Sequence, residues 1–281
     1  MTAKLTIGLP VRNGGVLLDR ALASVAAQTH RPLDVVIADN ASDDDTEARC
    51  RAFVEAHPFA RYVRHERPRS AADNFRFVVD ESDGEYFAWA AHDDDRSADF
   101  GTALVGALED DRRTVLAYPT LLIERPGRDD VVRSPLRGDT SGMAFRARAR
   151  WPWWHSCLPV YGVIRRTALA GYRWYAGNGS PDVPLLTHLA VTGEIVHVPG
   201  PTLTYRLVPK RSADLAGNPR LRVARINWDV AGAAADASRA KGERRSRALV
   251  FAGVELDHLA RRGAQALRRG RDWEPLVGGP A

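Results

Sequence analysis

The sequence predicts an α/β fold: a mostly parallel sheet flanked by helices, with a helical C-terminal extension. Apolar runs of strand length alternate with helical periodicity from residue 4 to residue 124, which is the pattern of βαβ units. Polar clusters directly follow three of these runs, and sheets of this kind bind ligands at the carboxyl ends of their strands. The 281 residues include 44% hydrophobic and 27% charged side chains, the composition of an ordinary folded protein.

The first βαβ unit lies within residues 4–40. The runs KLTIGLP (4–10) and LDVVIADN (33–40) have strand length, and the segment between them places Leu18, Leu22 and Val25 on one helical face. Strands joined by a crossover helix pair in parallel. We therefore expect both runs to end at the same edge of the sheet.

Further elements follow in order along the chain. We predict strands at 60–66, 85–92 and 114–124, helices at 70–82 and 180–193, an aromatic loop at 151–162, an extended segment at 194–207, and amphipathic helices at 224–241 and 247–269. From Tyr205 onward there are 16 Lys and Arg against 8 Asp and Glu. We interpret this excess as a solvated helical face rather than a surface for lipid or nucleic acid.

The two cysteines, Cys50 and Cys157, form neither a CxxC pair nor a metal-ligand spacing. The N-terminus lacks the pattern of a signal peptide, and no window approaches the 18 or so apolar residues of a membrane helix. These features predict a cytoplasmic protein whose membrane contact, if any, is peripheral. The abundance of Arg over Lys and the many Ala residues indicate a bacterial genome of high GC content.

Five motifs carry a family resemblance: LPVRNGG, VVIADNASDDDT, GEYFAWAAHDDD, SPDVPLL and LTYRL occur in this order over residues 4–212. Together they resemble family 2 glycosyltransferases with the GT-A (Rossmann-like) fold. The resemblance implies transfer of a sugar from a nucleotide-diphosphate-sugar to an acceptor hydroxyl, with inversion and metal assistance, in a hexosyltransferase-like enzyme of polysaccharide or natural-product biosynthesis. It implies a GT-A domain at 1–212, with a donor half at about 1–112 and an acceptor half at about 113–212, and a helical extension at 213–281.

The resemblance also implies a nucleotide site at the ends of the first two strands. Asp39 or Asn40 would read the imide edge of a uracil or thymine, which we favour over guanine. The loop after the first strand would cradle the base, and Arg12 would contact the base or a phosphate; the residues of this loop are Pro10, Val11, Arg12 and Asn13. Farther along the chain, the sugar or ribose contacts would come from Arg67, Asp73 and Asn74. Capping and turn roles are the alternative for the polar members of both groups.

Three consecutive aspartates end the strand at 85–92 and require a counter-ion, because adjacent carboxylates repel one another. The resemblance implies Mg²⁺ or Mn²⁺, with Asp93 as the main ligand, Asp94 beside it and His92 assisting. Ala91 stands where the family usually has its first aspartate. A solvated acidic turn is the alternative.

Asp182 lies where the family places its catalytic base, although Pro181 replaces the usual glutamate; a helix-capping role is the alternative. Cations that would close over the diphosphate are Arg206, Lys210 and Arg211. The aromatic residues of 151–161 would stack on an acceptor sugar or belong to the core. Two other functions stay open, a nucleotide-sugar binding protein without turnover and a nucleotidyltransferase. We expect no nucleic acid partner, and a homodimer through the C-terminal helices is one arrangement left open.

Overall fold

The computed structural model describes residues 3–125, 131–134, 138–154, 157–174, 181–207 and 219–242, together with Ser246 and Val250. Its strands are Leu5–Val11 (β1), Leu33–Asp39 (β2), Ala60–Arg64 (β3), Tyr86–Trp89 (β4), Asp95–Arg96 (β5), Thr114–Glu124 (β6), Val131–Arg133 (β7), Val163–Arg165 (β8) and Glu194–Arg206 (β9). Its helices are Leu17–Ala26 (α1), Thr46–Ala56 (α2), Ala71–Asp80 (α3), Phe100–Asp110 (α4), Phe145–Trp154 (α5), Asp182–Thr192 (α6) and Pro219–Ala240 (α7).

The strands of the described residues form one sheet in the order β3-β2-β1-β4-β8-β6-β9-β5, with β7 paired to β6. The first four strands in this order, β3, β2, β1 and β4, pair in parallel, as the sequence predicts. Strand β8 then pairs antiparallel with both β4 and β6, and β6 and β9 pair in parallel again. The sheet thus brings the carboxyl ends of β1, β2 and β4 to one edge.

Helices cover the sheet because its central strands are apolar on both sides. Every residue of β1 is buried, as expected for a strand in the middle of a parallel sheet. Helix α3 packs on β1 and β2, and Gly8 makes that close approach possible. A Cβ at this glycine would lie 2.7 Å from Val78 of α3 and 2.8 Å from Phe87 of β4.

One predicted loop is wrong in part, because residues 145–154 form helix α5. The helix contains Pro152 and has only a weak apolar periodicity. Its many aromatic residues therefore gave no helical pattern in the sequence. Trp151 is buried against the core, and the Arg148 guanidinium donates a hydrogen bond of 2.6 Å to the carbonyl of Gly193. Contacts from other parts of the chain therefore stabilise a helix that local propensity does not predict.

Helix α7 docks on α6. Ile226 and Val230 of α7 are buried, as are its alanines from Ala233 to Ala235. The small alanine side chains allow the two helices to approach closely. In the described part of the chain, no helix combines the length and the apolar character needed to cross a membrane. The second predicted C-terminal helix lies, apart from Val250, outside the described residues.

Candidate active site

Asp39 organises the loop that leaves β2. Its carboxylate is fully buried, and Oδ1 accepts hydrogen bonds from the backbone N–H and the hydroxyl of Ser42, at 2.9 and 2.5 Å. Its Oδ2 accepts from the Tyr62 hydroxyl at 2.7 Å and lies 3.6 Å from Nε of Arg64. A buried carboxylate with partners on both oxygens is fixed in place, so Asp39 sets the course of the loop around it.

Asn40 joins three segments at this edge. Its backbone N–H donates to the carbonyl of Val11 at 2.8 Å. Its side-chain amide donates to the carbonyl of Arg69 at 2.9 Å and accepts from the N–H of the same residue at 2.7 Å. The end of β1, the end of β2 and the loop before α3 therefore form one hydrogen-bonded unit.

The exits of β1 and β2 also interlock through Asn13, whose backbone is in the left-handed region at φ 54°. Its N–H donates to the Ser42 hydroxyl at 2.9 Å, and its side-chain oxygen accepts from the N–H of Asp43 at 3.1 Å. Pro10 and Val11 are buried beneath this loop, whereas Arg12 is exposed. Arg67, in the loop before α3, is also exposed, so both arginines present solvent-accessible guanidinium groups at this edge.

The start of α3 is a capped helix end. The Ser70 hydroxyl accepts from the N–H of Asp73 at 3.1 Å and donates to its carboxylate at 2.6 Å. The next residue, Asn74, is buried; its amide donates to the carbonyl of Ala38 at 3.0 Å, and its oxygen lies 2.9 Å from Nε2 of His65. Asp73 is exposed at the edge, while Asn74 fastens α3 to β2.

Asp94 is the buried member of the three aspartates that follow β4, with 1% of its surface exposed. Its Oδ1 accepts from the backbone N–H of Arg206 at 3.0 Å, and its buried Oδ2 has no hydrogen-bond partner among the described residues. Burial, together with the adjacent carboxylate of Asp93, raises the pKa of Asp94 to about 7. The protein itself therefore leaves the charge of Asp94 under-compensated.

Arginines neutralise other charges of this segment. Asp95 forms an ion pair with Arg20. The Arg206 guanidinium makes a bidentate pair with Glu124, at 3.1 and 3.0 Å, and donates to the carbonyl of Asp93 at 3.1 Å. The hydrogen bonds to Glu124 raise the pKa of Arg206. Arg206 therefore fixes the backbone that presents Asp93 and Asp94, a link that the sequence did not indicate because Glu124 is 82 residues away.

A divalent cation fits this segment. Mg²⁺ sites commonly use one or two carboxylates, with the substrate's phosphates and water completing the coordination. Asp93 is partly exposed, and Asp94 contributes a buried oxygen without a partner; His92 beside them is partly exposed. Within the described ranges, no group of three His, Cys, Asp or Glu side chains is arranged to hold a metal by itself. The arrangement therefore suits a cation that arrives with a phosphorylated ligand.

Tyr161 connects the aspartates to the other side of the site. Burial raises its pKa well above the usual value, and the nearby carboxylates of Asp94, Asp182 and Asp93, with Tyr205, raise it further. The phenol stays protonated and lies among these acidic groups. The sequence indicated Tyr161 only as a member of an aromatic cluster, and another member of that cluster, Trp151, belongs to the core.

Asp182 is the first residue of α6 and lines a cavity of about 270 Å³. The cavity lies between the start of α3, β4, the 3₁₀ turn Leu158–Tyr161 and the start of α6, and aromatic rings form much of its wall: Phe75, Trp89, Tyr161, Tyr172 and Trp174. The sequence pattern did not indicate Trp89 and Trp174 as members of this site. Trp89 followed the strand pattern, and Trp174 lies outside the five motifs.

The structure thus brings most of the sequence-predicted residues to one edge of the sheet. The predicted residues that follow β1, follow β2 and precede α3 form one hydrogen-bonded group. The predicted aspartates that follow β4 and Asp182 at the start of α6 lie around Tyr161. Lys210 and Arg211 lie outside the described residues.

Comparison with known proteins agrees with this architecture. The sequence profile described as "Glycosyl transferase family 2" matches residues 6–172. An uncharacterized glycosyltransferase of Rickettsia conorii is 27% identical over 90 residues, which are 32% of this chain and 15% of that protein. A second uncharacterized glycosyltransferase, of Rickettsia typhi, is 27% identical over 90 residues, which are 27% of its length. The chain thus matches only a small part of these relatives.

Two solved structures share the fold. S. aureus TarS (residues 1–349) in complex with UDP-GlcNAc superposes with a TM-score of 0.66 at 13% identity, covering 92% of this chain and 73% of that chain. The mannosyltransferase PcManGT from Pyrobaculum calidifontis, in complex with GDP-Man and Mn²⁺, has a TM-score of 0.59 at 18% identity, covering 98% of this chain and 77% of that chain. The α/β fold is therefore that of GT-A glycosyltransferases. Because the family profile matches more than half of its length, this chain belongs to glycosyl transferase family 2.

Proposed function

We propose that the protein transfers a sugar from a nucleotide-diphosphate-sugar to an acceptor hydroxyl, with inversion at the anomeric carbon. One observation carries this proposal. A segment with an unpartnered buried carboxylate oxygen, suited to a metal–diphosphate, lies across Tyr161 from a second carboxylate that lines a cavity. Family membership supports the same reaction.

The nucleotide would bind where β1 and β2 end. Arg12, Asn13, Asn40 and Arg67 lie at this edge, and the exposed guanidinium groups suit a phosphate or a base edge. Asp39 would act by shaping the loop, since both of its oxygens have protein partners. TarS with UDP-GlcNAc and PcManGT with GDP-Man support a nucleotide-sugar donor, and we retain uracil or thymine as the favoured base.

Asp93, with Asp94, would hold Mg²⁺ or Mn²⁺ together with the donor's diphosphate. The bound cation would stabilise the negative charge of the departing diphosphate. Arg206 would keep both aspartates in position through its bonds to Glu124 and to the Asp93 carbonyl. Lys210 and Arg211 are proposed as further cations for the diphosphate.

Asp182 would act as the general base. Its carboxylate removes the proton of the acceptor hydroxyl as that oxygen forms its bond to the anomeric carbon. The bond from this carbon to the diphosphate oxygen breaks in the same displacement, and the diphosphate leaves with the bonding electrons. Within the parts of the chain that the structure describes, the side-chain carboxylate of Asp182 has no hydrogen-bond or ion-pair partner in the protein, so its oxygens are free to accept this proton.

Nucleotide binding tests the proposal first. UDP, dTDP and GDP are added to the full chain with and without Mn²⁺, because a ligand that binds only the folded state raises the melting temperature. We expect a Mn²⁺-dependent shift with at least one diphosphate. Asp93→Asn should abolish the dependence on Mn²⁺, whereas Asp110→Asn, at an exposed helix end, should keep it. Equal shifts with and without Mn²⁺ in the wild type would rule out the metal part of the proposal.

A binding protein without turnover is the second candidate. Two departures from the family pattern favour it, Ala91 in place of the first aspartate and Pro181 in place of the glutamate. Incubation with UDP-sugars and GDP-sugars separates the two candidates. Release of nucleoside diphosphate that requires Asp182 supports transferase chemistry, and tight binding without any release supports the second candidate.

A further inference from the structure

We infer that the cavity beside Asp182 is an acceptor subsite for a hydroxyl carried on an apolar or aromatic ring, rather than for a polyhydroxylated sugar. The inference rests on the proposed function and specifies its acceptor. It follows from the chemistry of the wall, the rigidity of the wall and the position of the single carboxylate.

The described residues of the wall offer a small set of polar groups to a ligand. Asp182 is the one charged side chain among them, and the others are the hydroxyls of Tyr161 and Tyr172 and the indole N–H groups of Trp89 and Trp174. The indole N–H of Trp89 donates to the carbonyl of Phe75 at 3.0 Å, so this donor is already used. A sugar with four or five hydroxyls, each able to donate and accept, needs more partners than these groups offer, and a hydroxyl buried without a partner loses its hydrogen bonds to water. An apolar ring avoids this cost.

The aromatic wall is also pre-formed. The rings of Trp89 and Trp174 meet edge-to-face with centroids 6.3 Å apart, and those of Tyr172 and Trp174 do so at 5.4 Å. Trp89 additionally packs edge-to-face on Phe87 at 4.9 Å. Side chains held by such pairs lose little freedom when a ligand binds, so the apolar surface is available at small entropic cost.

Size and position restrict the ligand further. The volume of about 270 Å³ is just below the range of roughly 300–1,000 Å³ for drug-sized ligands, which suits one ring system. Asp182 and Tyr161 line the same cavity, and Tyr161 also lies near Asp93 and Asp94. A ring in the cavity can therefore present its hydroxyl to the Asp182 carboxylate on the side that faces the proposed diphosphate site.

A matched pair of small probes tests the inference. Benzyl alcohol, an apolar ring with one hydroxyl, and methyl β-D-glucopyranoside, a polyhydroxylated ring, are compared by saturation-transfer NMR on the full chain with UDP and Mn²⁺ present. We expect saturation of benzyl alcohol and little saturation of the glucoside. Ala72→Trp should abolish the benzyl alcohol signal, because Ala72 lines the cavity and an indole there would fill it.

Controls make each outcome decisive. Ala52→Trp, on an exposed face of α2, should retain the signal, and Ala71→Trp provides a second blocking variant should Ala72→Trp not fold. Preference for the glucoside, or benzyl alcohol binding that survives both blocking variants, would overturn the inference. Binding of UDP is measured on the same samples. Loss of UDP binding in the wild type would count against the proposed function, whereas absent probe binding with intact UDP binding would count against the subsite alone.

Discussion

Asp182 has two chemical interpretations, general base and favourable acid in the first turn of a helix. Its carboxylate is partly exposed and lines the cavity, and the residue at the N-cap, Pro181, provides no side-chain cap. An acidic side chain in the first turn of a helix stabilises the fold through the helix dipole by about 0.3–1 kcal/mol. A general base instead raises the reaction rate, so a substitution would lower stability under the first interpretation and turnover under the second.

We expect Asp182→Asn to lower turnover by about 10²- to 10⁴-fold while leaving the affinity for the nucleotide diphosphate near that of the wild type. The amide keeps the size of the side chain but cannot take the proton. Initial rates of nucleoside diphosphate release and the thermal shift with UDP measure the two quantities. Asp19→Asn, which removes the first-turn acid of α1, is the control and should keep its turnover. A less stable Asp182→Asn protein of unchanged specific activity would identify Asp182 as a helix acid only.

The N-terminal end of helix α3 contacts three parts of the site: the exit of β2, the loop before the helix and the cavity beside Asp182. The Ser70 cap fixes the first turn, Asn74 ties it to β2, and Asn40 of the β2 exit holds the loop just before it. Ala72 and Phe75 of the same helix line the cavity. The nucleotide edge and the acceptor cavity thus share one helix start.

We expect Ser70→Ala to lower the free energy of unfolding by about 1 kcal/mol, the usual cost of removing a helix cap. The change leaves the N–H of Asp73 without its acceptor and the Asp73 carboxylate without its donor. Urea unfolding measures the loss. Ser24→Ala, inside α1, is the control, and we expect little change there because alanine has the better helix propensity. An unchanged Ser70→Ala midpoint would show that this cap contributes nothing to stability.

Strands β1, β2 and β4 could be predicted because each is an apolar run of strand length next to a polar exit. The pairing of Asp95–Arg96 with β9 could not, since a two-residue strand has no periodicity of its own and depends on residues more than 100 positions away. The same applies to the site. The motifs indicated Asp93, Asp94 and Asp182, whereas the roles of Glu124 and Trp174 depend on tertiary contacts, with Arg206 and with the cavity wall, that no motif indicates.

At the scale of the whole molecule, helix α7, the described part of the predicted extension, packs on the rest of the fold. Ile226 and Val230 of α7 are buried, Asp236 pairs with Arg173 at 3.6 Å, and the Lys241 ammonium donates to the carbonyl of Val191 at 3.2 Å. We therefore propose that α7 belongs to the same folded unit as the domain at 1–212, while the boundary between 1–212 and 213–281 stays a prediction. A homodimer contact through residues beyond α7 stays a prediction.

His188 of α6 is buried beneath this contact, with Nε2 3.0 Å from the carbonyl of Ala168 and its ring 5.1 Å from that of Tyr172. Burial lowers its pKa below the usual 6.5, and nearby Asp236 offsets this only in part. Below about pH 6.5 the unfolded chain therefore binds a proton here that the folded chain does not. Since stability rises with pH wherever the unfolded state binds more protons, this contribution is complete above pH 6.5 and is lost as the pH falls below it.

Protonation of Asp94, whose pKa is raised to about 7, favours the folded state over the same pH range, so the His188 contribution is read as a difference between two proteins. We expect the change in the free energy of unfolding from pH 7.5 to pH 5.5 to be less favourable for the wild type than for His188→Gln. Glutamine keeps an N–H for the Ala168 carbonyl but does not titrate. Urea unfolding at both pH values gives the difference for each protein. His57→Gln is the control: it removes a partly exposed imidazole outside the α6–α7 contact and should keep the wild-type difference. If acidification changed the free energy of unfolding of His188→Gln and of the wild type by the same amount, protonation of His188 would make no contribution to stability at the α6–α7 contact.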